Sequence, residues 1–408
     1  MKFVIASDTH YIAPALVQGS TLFEQTFRKS DGKQMDYIDE ILEAFIEEVI
    51  DINPDGGLII SGDLTFNGEM PSHQLLAEKL SVIKNHGINV FIIPGNHDIN
   101  NYRALQYYNF GMRPIESVSP LAFEYIYYSC GFSNAIFRDQ HSLSYIAIVD
   151  NIWLFMLDSC IYEDNNPETP TTSAGYMREE TLTWLEEYLI IAREKGVIPI
   201  IIAHHNLVDH NEVYYKGFTV NNNISLLKLL HKYHISIYLS GHMHIQSIAS
   251  SIQEDNIIYD IATSSLAVYN NHYGIFDVDD DGTFTYNTKR VNLSAWANHN
   301  QRFNPDLIFF EAYSFQFFTN LTLQNEFKKL ISQNYNPADA EKMARILALL
   351  NPAYFSGNVS KVQPDIWDNE GYKLWQEIGV GRTKQYIQSM LKPVTINENS
   401  LKIKLRME

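Results

Sequence analysis

The sequence has few of the features that define several large classes of protein. Among 408 residues it contains only two cysteines, Cys130 and Cys160, which excludes a disulfide-rich scaffold. Lysine and arginine total 30 residues against 48 aspartates and glutamates, so the formal net charge is −18. A general nucleic-acid-binding surface, or one for anionic membranes, needs a basic patch. The charge balance therefore argues against both.

Long hydrophobic runs are also missing. No apolar segment approaches the roughly 18 to 20 residues that a transmembrane helix needs, and Met1-Lys2 leads directly into a short apolar run without the cleavage site of a secretory signal. A reducing compartment is the simplest environment for a chain with so little cysteine. We therefore expect a cytoplasmic protein without a transmembrane segment.

The first hundred residues alternate between short apolar runs and amphipathic patterns. Strands are predicted at residues 3–6, 58–60 and 90–93, and helices at 36–50 and between Pro71 and Gly87. Strands joined by helical crossovers form parallel sheets covered by helices. Further strands are predicted at 144–149, 152–157, 197–203, 235–239, 257–261 and 274–291, the last region being broken by a turn at 279–282, and a helix is predicted at 178–195. The fold class is therefore α/β.

The pattern changes at about residue 295. Helices are predicted at 305–323, 337–350, 370–378 and 383–391, with Asn351-Pro352 as a break after the second, and a last strand at 400–406. We therefore predict two domains, residues 1–294 and a mainly helical domain at 295–408.

Polar residues follow five of the predicted strands at their carboxyl ends. They are Asp8, His10, Asp63, Asn96, His97, His204, His205, His242 and His244. Asp8 and His10, like His242 and His244, are two residues apart, so on an extended backbone their side chains would point to the same side. Divalent metal ions prefer this mixture of carboxylate, amide and imidazole ligands. The sequence thus predicts a metal site at one edge of the sheet.

These blocks resemble a known family. Asp8-x-His10, Gly62-Asp63, Gly95-Asn96-His97-Asp98, His204 and Gly241-His242-x-His244 are similar, in order and spacing, to the signature of calcineurin-like metallophosphoesterases, over about residues 1 to 290. Gly62-Asp63-Leu64-Thr65 with Gly68-Glu69 further resembles the cyclic-nucleotide and glycerophosphodiester phosphodiesterases. That subgroup often has His-His-Pro-Pro where this chain has His-His-Asn-Leu at 204–207. The resemblance implies a four-layer α/β/β/α sandwich with a C-terminal mainly helical domain.

The resemblance also implies roles for the site residues. Asp8, His10 and His244 would hold one divalent ion, Asn96, His204 and His242 a second, and Asp63 would bridge the two. The ions are expected to be manganese, iron or zinc. His97 would act as general acid. His205 would lie behind the ligands or face the substrate, and Asp98 would either orient a histidine or cap the turn.

The implied activity is hydrolysis of phosphate esters by a hydroxide held between the two metals. A phosphodiesterase acting on cyclic nucleotides or similar small diesters is the leading interpretation, and a phosphomonoesterase or nucleotide pyrophosphatase is the alternative. A degenerate binding scaffold is disfavoured because all seven ligands are present. The helical domain is expected to cap the site or to form a homodimer. Six aromatic residues of that domain are candidates for stacking on a base, although helix core is the favoured role for most of them: Phe309, Phe310, Tyr313, Phe315, Phe317 and Phe318.

Overall fold

The structure is a computed structural model that describes residues 1–27, 32–166, 168–169, 171–393 and 395–405. Its centre consists of two β-sheets. The six strands of the first sheet are β1 (Lys2–Ala6), β2 (Gly57–Ile60), β3 (Val90–Ile92), β13 (His272–Val278), β14 (Thr283–Arg290) and β15 (Ser400–Lys404). Their spatial order is β15-β14-β13-β1-β2-β3. The parallel strands β1, β2 and β3 confirm the predicted crossovers.

The second sheet has seven strands: β6 (Ala135–Arg138), β7 (Tyr145–Val149), β8 (Ile152–Leu157), β9 (Ile198–Ala203), β10 (Ile237–Ser240), β11 (Ser247–Gln253) and β12 (Asn256–Ala262). Its order is β11-β12-β10-β9-β8-β7-β6, and β12, β10, β9 and β8 run parallel. The predicted hairpin of β7 and β8 is confirmed, with Asp150 in its turn at φ 55°.

Helices cover the outer faces of both sheets. They are α1 (Thr21–Phe27), α2 (Ile38–Ile52), α3 (Met70–Asn85), α4 (Pro120–Ile126), α5 (Glu179–Lys195) and α6 (Asn223–Lys232). In β8, Leu154 and Met156 belong to the core shared with the first sheet, whereas Trp153 and Phe155 pack in the separate core that includes Leu185 of α5. All six residues of β8 are apolar and buried, as expected for a strand that is covered on both faces. These layers confirm the predicted α/β/β/α sandwich.

The aromatic-rich region between residues 101 and 141 contains elements that the sequence did not predict. A two-stranded sheet of β4 (Leu105–Tyr108) and β5 (Gly111–Pro114) precedes α4, and β6 follows it. The edge strand β11 was also missed; its residues are mostly half-buried or exposed, so it lacks the apolar run of the central strands.

The C-terminal region is helical, as expected. It contains α7 (Leu293–His299), α8 (Pro305–Ile308), α9 (Phe310–Ser332), α10 (Pro337–Phe355), α11 (Val359–Trp367), α12 (Glu370–Glu377) and α13 (Gly381–Met390). The predicted break at Pro352 is wrong, because α10 continues through it to Phe355. A proline near the end of a helix removes one backbone hydrogen bond, and the packing of buried Ala353 and Tyr354 supports the last turn.

The last described strand belongs to the first sheet. β15 pairs with β14, so the predicted last strand is confirmed from Ser400 to Lys404, while residue 406 lies outside the described residues. The helical region therefore begins and ends at the same sheet. Cys130 and Cys160 are buried and unbridged. None of the described helices has the length and apolarity that a membrane span requires.

Candidate metal centre

The predicted site residues converge because the two sheets present their strand ends at one edge. Asp8 and His10 follow β1, Asp63 follows β2, and Asn96 and His97 follow β3. The second sheet contributes His204 after β9, and His242 and His244 after β10. In each sheet the contributing strands are parallel neighbours, so their carboxyl ends lie side by side.

The extended backbone expected for the two i, i+2 pairs is wrong. Asp8 and His10 have φ values of 53° and 44°, and His242 and His244 have values of 69° and 59°. Asp63 also lies in the left-handed region, at φ 49°. Non-glycine residues in this region cost about 1 to 2 kcal/mol each. The surrounding loops therefore hold these side chains in strained positions, as is common at functional sites.

The first group of ligand atoms surrounds Asp8. Its Oδ1 atom lies 3.2 Å from His244 Nε2 and 3.7 Å from His10 Nε2, and the two imidazole nitrogens lie 2.9 Å apart. Asp8 Oδ2 accepts hydrogen bonds from the Ser7 hydroxyl and the His242 amide. Asp8 Oδ1 is buried and has no hydrogen-bond partner among the described residues. A buried carboxylate oxygen facing two imidazole nitrogens fits a metal ligand.

The second group surrounds His204. Its Nε2 atom lies 3.2 Å from Asn96 Oδ1 and 3.4 Å from Asp63 Oδ2. His204 Nδ1 donates to the Ser61 carbonyl at 2.8 Å, and His242 Nε2 lies 2.7 Å from the Gly217 carbonyl. Backbone carbonyls of this kind fix the protonated nitrogen of a ligating histidine. His204 Nε2 and His242 Nδ1 are then left to bind a cation.

Asp63 lies between the two groups. Its Oδ2 atom is 3.4 Å from His204 Nε2 and 3.8 Å from His10 Nε2, while Oδ1 accepts a hydrogen bond from the His97 amide at 2.8 Å. Asp8, His10, Asp63 and His244 form one cluster of ligand atoms within 4.8 Å of one another, and Asp63, His204 and His242 form another. Asp63 is the residue that the two clusters share.

Electrostatics keep this carboxylate charged although it is buried. Burial alone would raise the pKa of Asp63, but the charges of His204 and His97 outweigh it and hold the pKa well below its usual value. Burial, together with the charge of Lys33, lowers the pKa of His10, and burial lowers that of His242 to about 4. His204 is the exception: burial opposes its charge, but Asp63 raises its pKa to about 9. Metal binding requires an ionised carboxylate and neutral imidazoles, so an ion at this position would displace the proton of His204.

His97 lies beside this centre and remains partly exposed, with 28% of its side chain accessible. Its Nδ1 atom lies 2.7 Å from the Phe66 carbonyl, to which it can donate. Its Nε2 atom lies 4.0 Å from Asp63 Oδ2. The ring is thus oriented by the backbone with one nitrogen directed at the site.

The two residues whose roles were open lie behind the ligands. Asp98 accepts backbone hydrogen bonds from Leu64, Thr65 and Gly95, at 3.0, 2.9 and 2.8 Å, and so joins the loops that follow β2 and β3. His205 is buried, with Nδ1 2.8 Å from the Ser159 hydroxyl and Nε2 3.1 Å from the Ser173 carbonyl. Both side chains are therefore held by neighbouring loops.

A cavity of about 500 Å³ lies above the centre. Asp63, Asn96, His97, His242 and His244 line one part of it, and side chains of α9, α10 and α13 line another. Its wall also includes residues that the sequence did not predict to belong to the site: Lys33, Asn211, Tyr214, Phe218, Lys329, Asn351, Tyr354, Phe355, Thr383 and Tyr386.

The six aromatic residues considered for base stacking do not line this cavity. Phe310 and Phe318 are buried in the protein core, and Phe309 is exposed. The cavity aromatics of the helical region come instead from the last turn of α10 and from α13, at Tyr354, Phe355 and Tyr386. Tyr354 and Phe355 were not predicted to be helical, because the predicted helix ended at residue 350, before Pro352.

Comparison with known proteins agrees with this geometry. Residues 1–246, more than half of the chain, match the family model described as calcineurin-like phosphoesterase. The chain belongs to this family. Residues 292–395 match a second model, the C-terminal domain of cyclic nucleotide phosphodiesterase. The chain is therefore a metallophosphoesterase, a hydrolase of phosphoric esters, and its family implies divalent metal ions.

Two curated relatives are named "Probable cyclic nucleotide phosphodiesterase". The one from Vesicomyosocius okutanii is 27% identical over 255 residues, covering 61% of this chain and 88% of the relative. The one from Ruthia magnifica is 26% identical over 257 residues, with the same coverage of both chains. Among solved structures, a dimetal phosphatase from Danio rerio matches with a TM-score of 0.48 and 11% identity, covering 71% of this chain and 95% of that one.

Proposed function

We propose that this phosphoesterase is a phosphodiesterase that acts on cyclic nucleotides or similar small diesters with two divalent metal ions. The proposal rests on the position of Asp63, which belongs to both clusters of candidate ligand atoms. Asp63 also lines the cavity whose wall is formed partly by the helical region. The names of the two curated relatives and the match at residues 292–395 support the choice of substrate.

The ligand assignment follows the two clusters. Asp8, His10 and His244 would hold one ion, and Asn96, His204 and His242 the other, with Asp63 shared. Two such ions supply positive charge at the phosphate and lower the pKa of a bound water. Manganese, iron and zinc all suit this ligand set. Because Asn96 is neutral, only Asp8 and Asp63 offset the charge of the ions, so the site favours an anion.

His97 is proposed as the general acid. With Nδ1 directed at the Phe66 carbonyl, Nε2 is the nitrogen that can give a proton to the oxygen of the leaving alkoxide. Asp98 acts indirectly in this proposal, because its backbone hydrogen bonds to Leu64 and Gly95 hold the loops that carry Asp63 and His97. His205 would support His242, since the Ser173 carbonyl is close to both rings.

The helical region is proposed as a cap on a catalytic domain at residues 1–294. Tyr354, Phe355 and Tyr386 bring aromatic faces to the cavity, and Asn351 and Thr383 bring polar groups. Aromatic residues with a few polar groups are typical of a nucleobase site. The small-molecule partner would then be a nucleotide. A homodimer and a cytoplasmic location stay predictions, to be checked by light scattering and by fractionation.

A hydrolysis panel tests the substrate proposal. It should contain 2′,3′- and 3′,5′-cyclic nucleotides, glycerophosphodiesters, and aryl phosphate mono- and diesters, assayed with Mn²⁺ and after chelation. We expect the highest kcat/KM on a cyclic nucleotide and loss of activity on chelation. A higher kcat/KM on monoesters would favour the phosphomonoesterase alternative, and cleavage of a nucleotide pyrophosphate bond would favour a pyrophosphatase.

A further inference from the structure

Lys33 is a buried cation in the wall of the active-site cavity. Only 4% of the residue is exposed, and it lines the cavity together with His97, Asp63 and His244. It comes from the segment before α2, outside the blocks that resemble the family signature. Lys33 thus brings a positive charge to the wall beside the proposed phosphate site.

The backbone next to Lys33 is anchored on the loop that leads into β13. Lys33 forms an antiparallel bridge with Val268, and the Gln34 amide donates to the Ala267 carbonyl at 2.7 Å. Two strand-like contacts in succession fix the direction of this segment. The cavity position of Lys33 is thus defined by residues far away in the sequence.

A closed triangle of side-chain hydrogen bonds adds a second anchor. Gln34 Nε2 donates to the Ser314 hydroxyl at 2.5 Å, the hydroxyl donates to Asn271 Oδ1 at 3.0 Å, and Asn271 Nδ2 donates to Gln34 Oε1 at 2.9 Å. All three residues are at most 2% exposed. Since Ser314 belongs to α9, the triangle connects the Lys33 segment to the helical region. Buried networks with every member bonded rigidify their surroundings.

The other lysine of the cavity is placed differently. Lys329 contacts the Thr383 hydroxyl, and its Nζ atom lies 3.5 Å from Glu326 Oε2. Glu326 also lines the cavity, so Lys329 has a carboxylate beside it. Lys33 lies closer to the ligand residues, where burial and the charge of Lys33 lower the pKa of both His10 and His97. Of the two, Lys33 is the better placed to meet a phosphate group.

We propose that Lys33 binds a non-bridging phosphate oxygen of the substrate and that Gln34, Asn271 and Ser314 position it, a role that rests on the proposed use of this cavity. A charge-assisted hydrogen bond between ammonium and phosphate is among the stronger polar contacts in a protein. The helical region then contributes to phosphate binding indirectly, through α9, in addition to walling the cavity.

The first test compares Lys33→Met with Lys33→Arg and with Lys361→Met, an exposed lysine outside the cavity. The substrate is bis(4-nitrophenyl) phosphate, which needs no nucleobase, and inorganic phosphate serves as competitive inhibitor. For Lys33→Met we expect kcat/KM to fall about 10- to 100-fold, mainly through KM, and the phosphate inhibition constant to rise similarly. Lys33→Arg should keep most of the affinity, and Lys361→Met all of it.

Metal content is measured in parallel and should stay at the wild-type level, because Lys33 is not a ligand. Unchanged KM and inhibition constant in a folded Lys33→Met protein would overturn the proposal. If that variant does not fold, Lys33→Gln replaces it, and wild-type affinity for phosphate in folded Lys33→Gln would overturn the proposal equally.

The second test addresses the positioning residues. Ser314→Ala should raise KM several-fold in the wild-type background and should have no further effect in Lys33→Met, whereas Ser314→Thr should restore the hydroxyl and the affinity. Equal effects of Ser314→Ala in both backgrounds would show a role independent of Lys33.

The aryl diester separates this proposal from the choice of natural substrate. If Lys33→Met impairs its hydrolysis but no cyclic nucleotide is cleaved, only the substrate proposal fails. If cyclic nucleotides are cleaved normally by Lys33→Met, only the role of Lys33 fails.

Discussion

The Nε2 atoms of His10 and His244 lie 2.9 Å apart, although the residues are 234 positions apart in the chain and follow strands of different sheets. Two imidazole nitrogens at this distance, with Asp8 Oδ1 beside them, converge on one point. The proposed metal centre thus depends on the contact between the two sheet edges. Changes to its shared residue and to its neighbours should have separable effects.

Asp63→Asn should lower metal occupancy, because it removes one of only two carboxylates in the ligand set and the one that both clusters share. Elemental analysis of the purified protein measures the effect. Asp150→Asn is the matched control, since it makes the same chemical change in an exposed hairpin turn at φ 55°, where asparagine is well tolerated. Two metal ions per chain in Asp63→Asn would contradict a bridging role.

His97→Ala should keep the metal content and lower turnover by roughly 10²- to 10⁴-fold on esters with poor leaving groups. The loss should be much smaller on activated aryl esters, whose leaving group needs no proton. Steady-state kinetics on one ester of each kind give the comparison, with exposed His86→Ala as control. Equal losses on both esters would remove the general-acid role.

Tyr386→Leu should raise KM for nucleotide substrates about 5- to 150-fold, because a base that stacks on an aromatic ring loses roughly 1 to 3 kcal/mol when the ring is removed. Leucine keeps an apolar side chain at the cavity wall. KM for a glycerophosphodiester, which has no base, should stay unchanged. Tyr125→Ala, on an 83% exposed tyrosine outside the cavity, is the control. A similar rise in KM for both substrates would argue against a base site.

Glu69 should make the protein less stable as pH rises. Burial raises the pKa of this carboxyl from 4.5 to about 8, so between these values the folded state binds more protons than the unfolded state. The contribution of Glu69 to the free energy of unfolding is therefore greatest below pH 4.5. It decreases by about 1.4 kcal/mol per pH unit up to about pH 8. Glu69→Gln should flatten this dependence.

Chemical denaturation at pH 5 and pH 8 measures the effect. The difference in unfolding free energy between the two pH values should be several kcal/mol smaller in Glu69→Gln than in wild type. Glu187→Gln, which changes an exposed glutamate of α5, should behave as wild type. Parallel pH profiles of Glu69→Gln and wild type would contradict the prediction.

Much of the fold was predictable because the central strands are continuous apolar runs. Strand β9, for example, packs Ile200 and Ile202 in one core and Ile201 in the other, and such apolar runs end where polar loops begin. The helix pattern of α2 was equally clear. The elements that the sequence did not predict are less apolar or less regular. They include the hairpin of β4 and β5, the edge strand β11, and the last turn of α10 beyond Pro352.

The sequence by itself determined which side chains follow the strand ends, because the apolar runs place them there and the metal-binding residue types identify their chemistry. Only the tertiary structure decided how they meet. The left-handed backbone at Asp8 and His244 replaces the expected extended one, and Asp98 joins two loops through backbone hydrogen bonds. Likewise, Lys33 enters the cavity because Val268 and Ser314 anchor its segment. Such contacts join segments far apart in the chain, and neither periodicity nor local residue type encodes them.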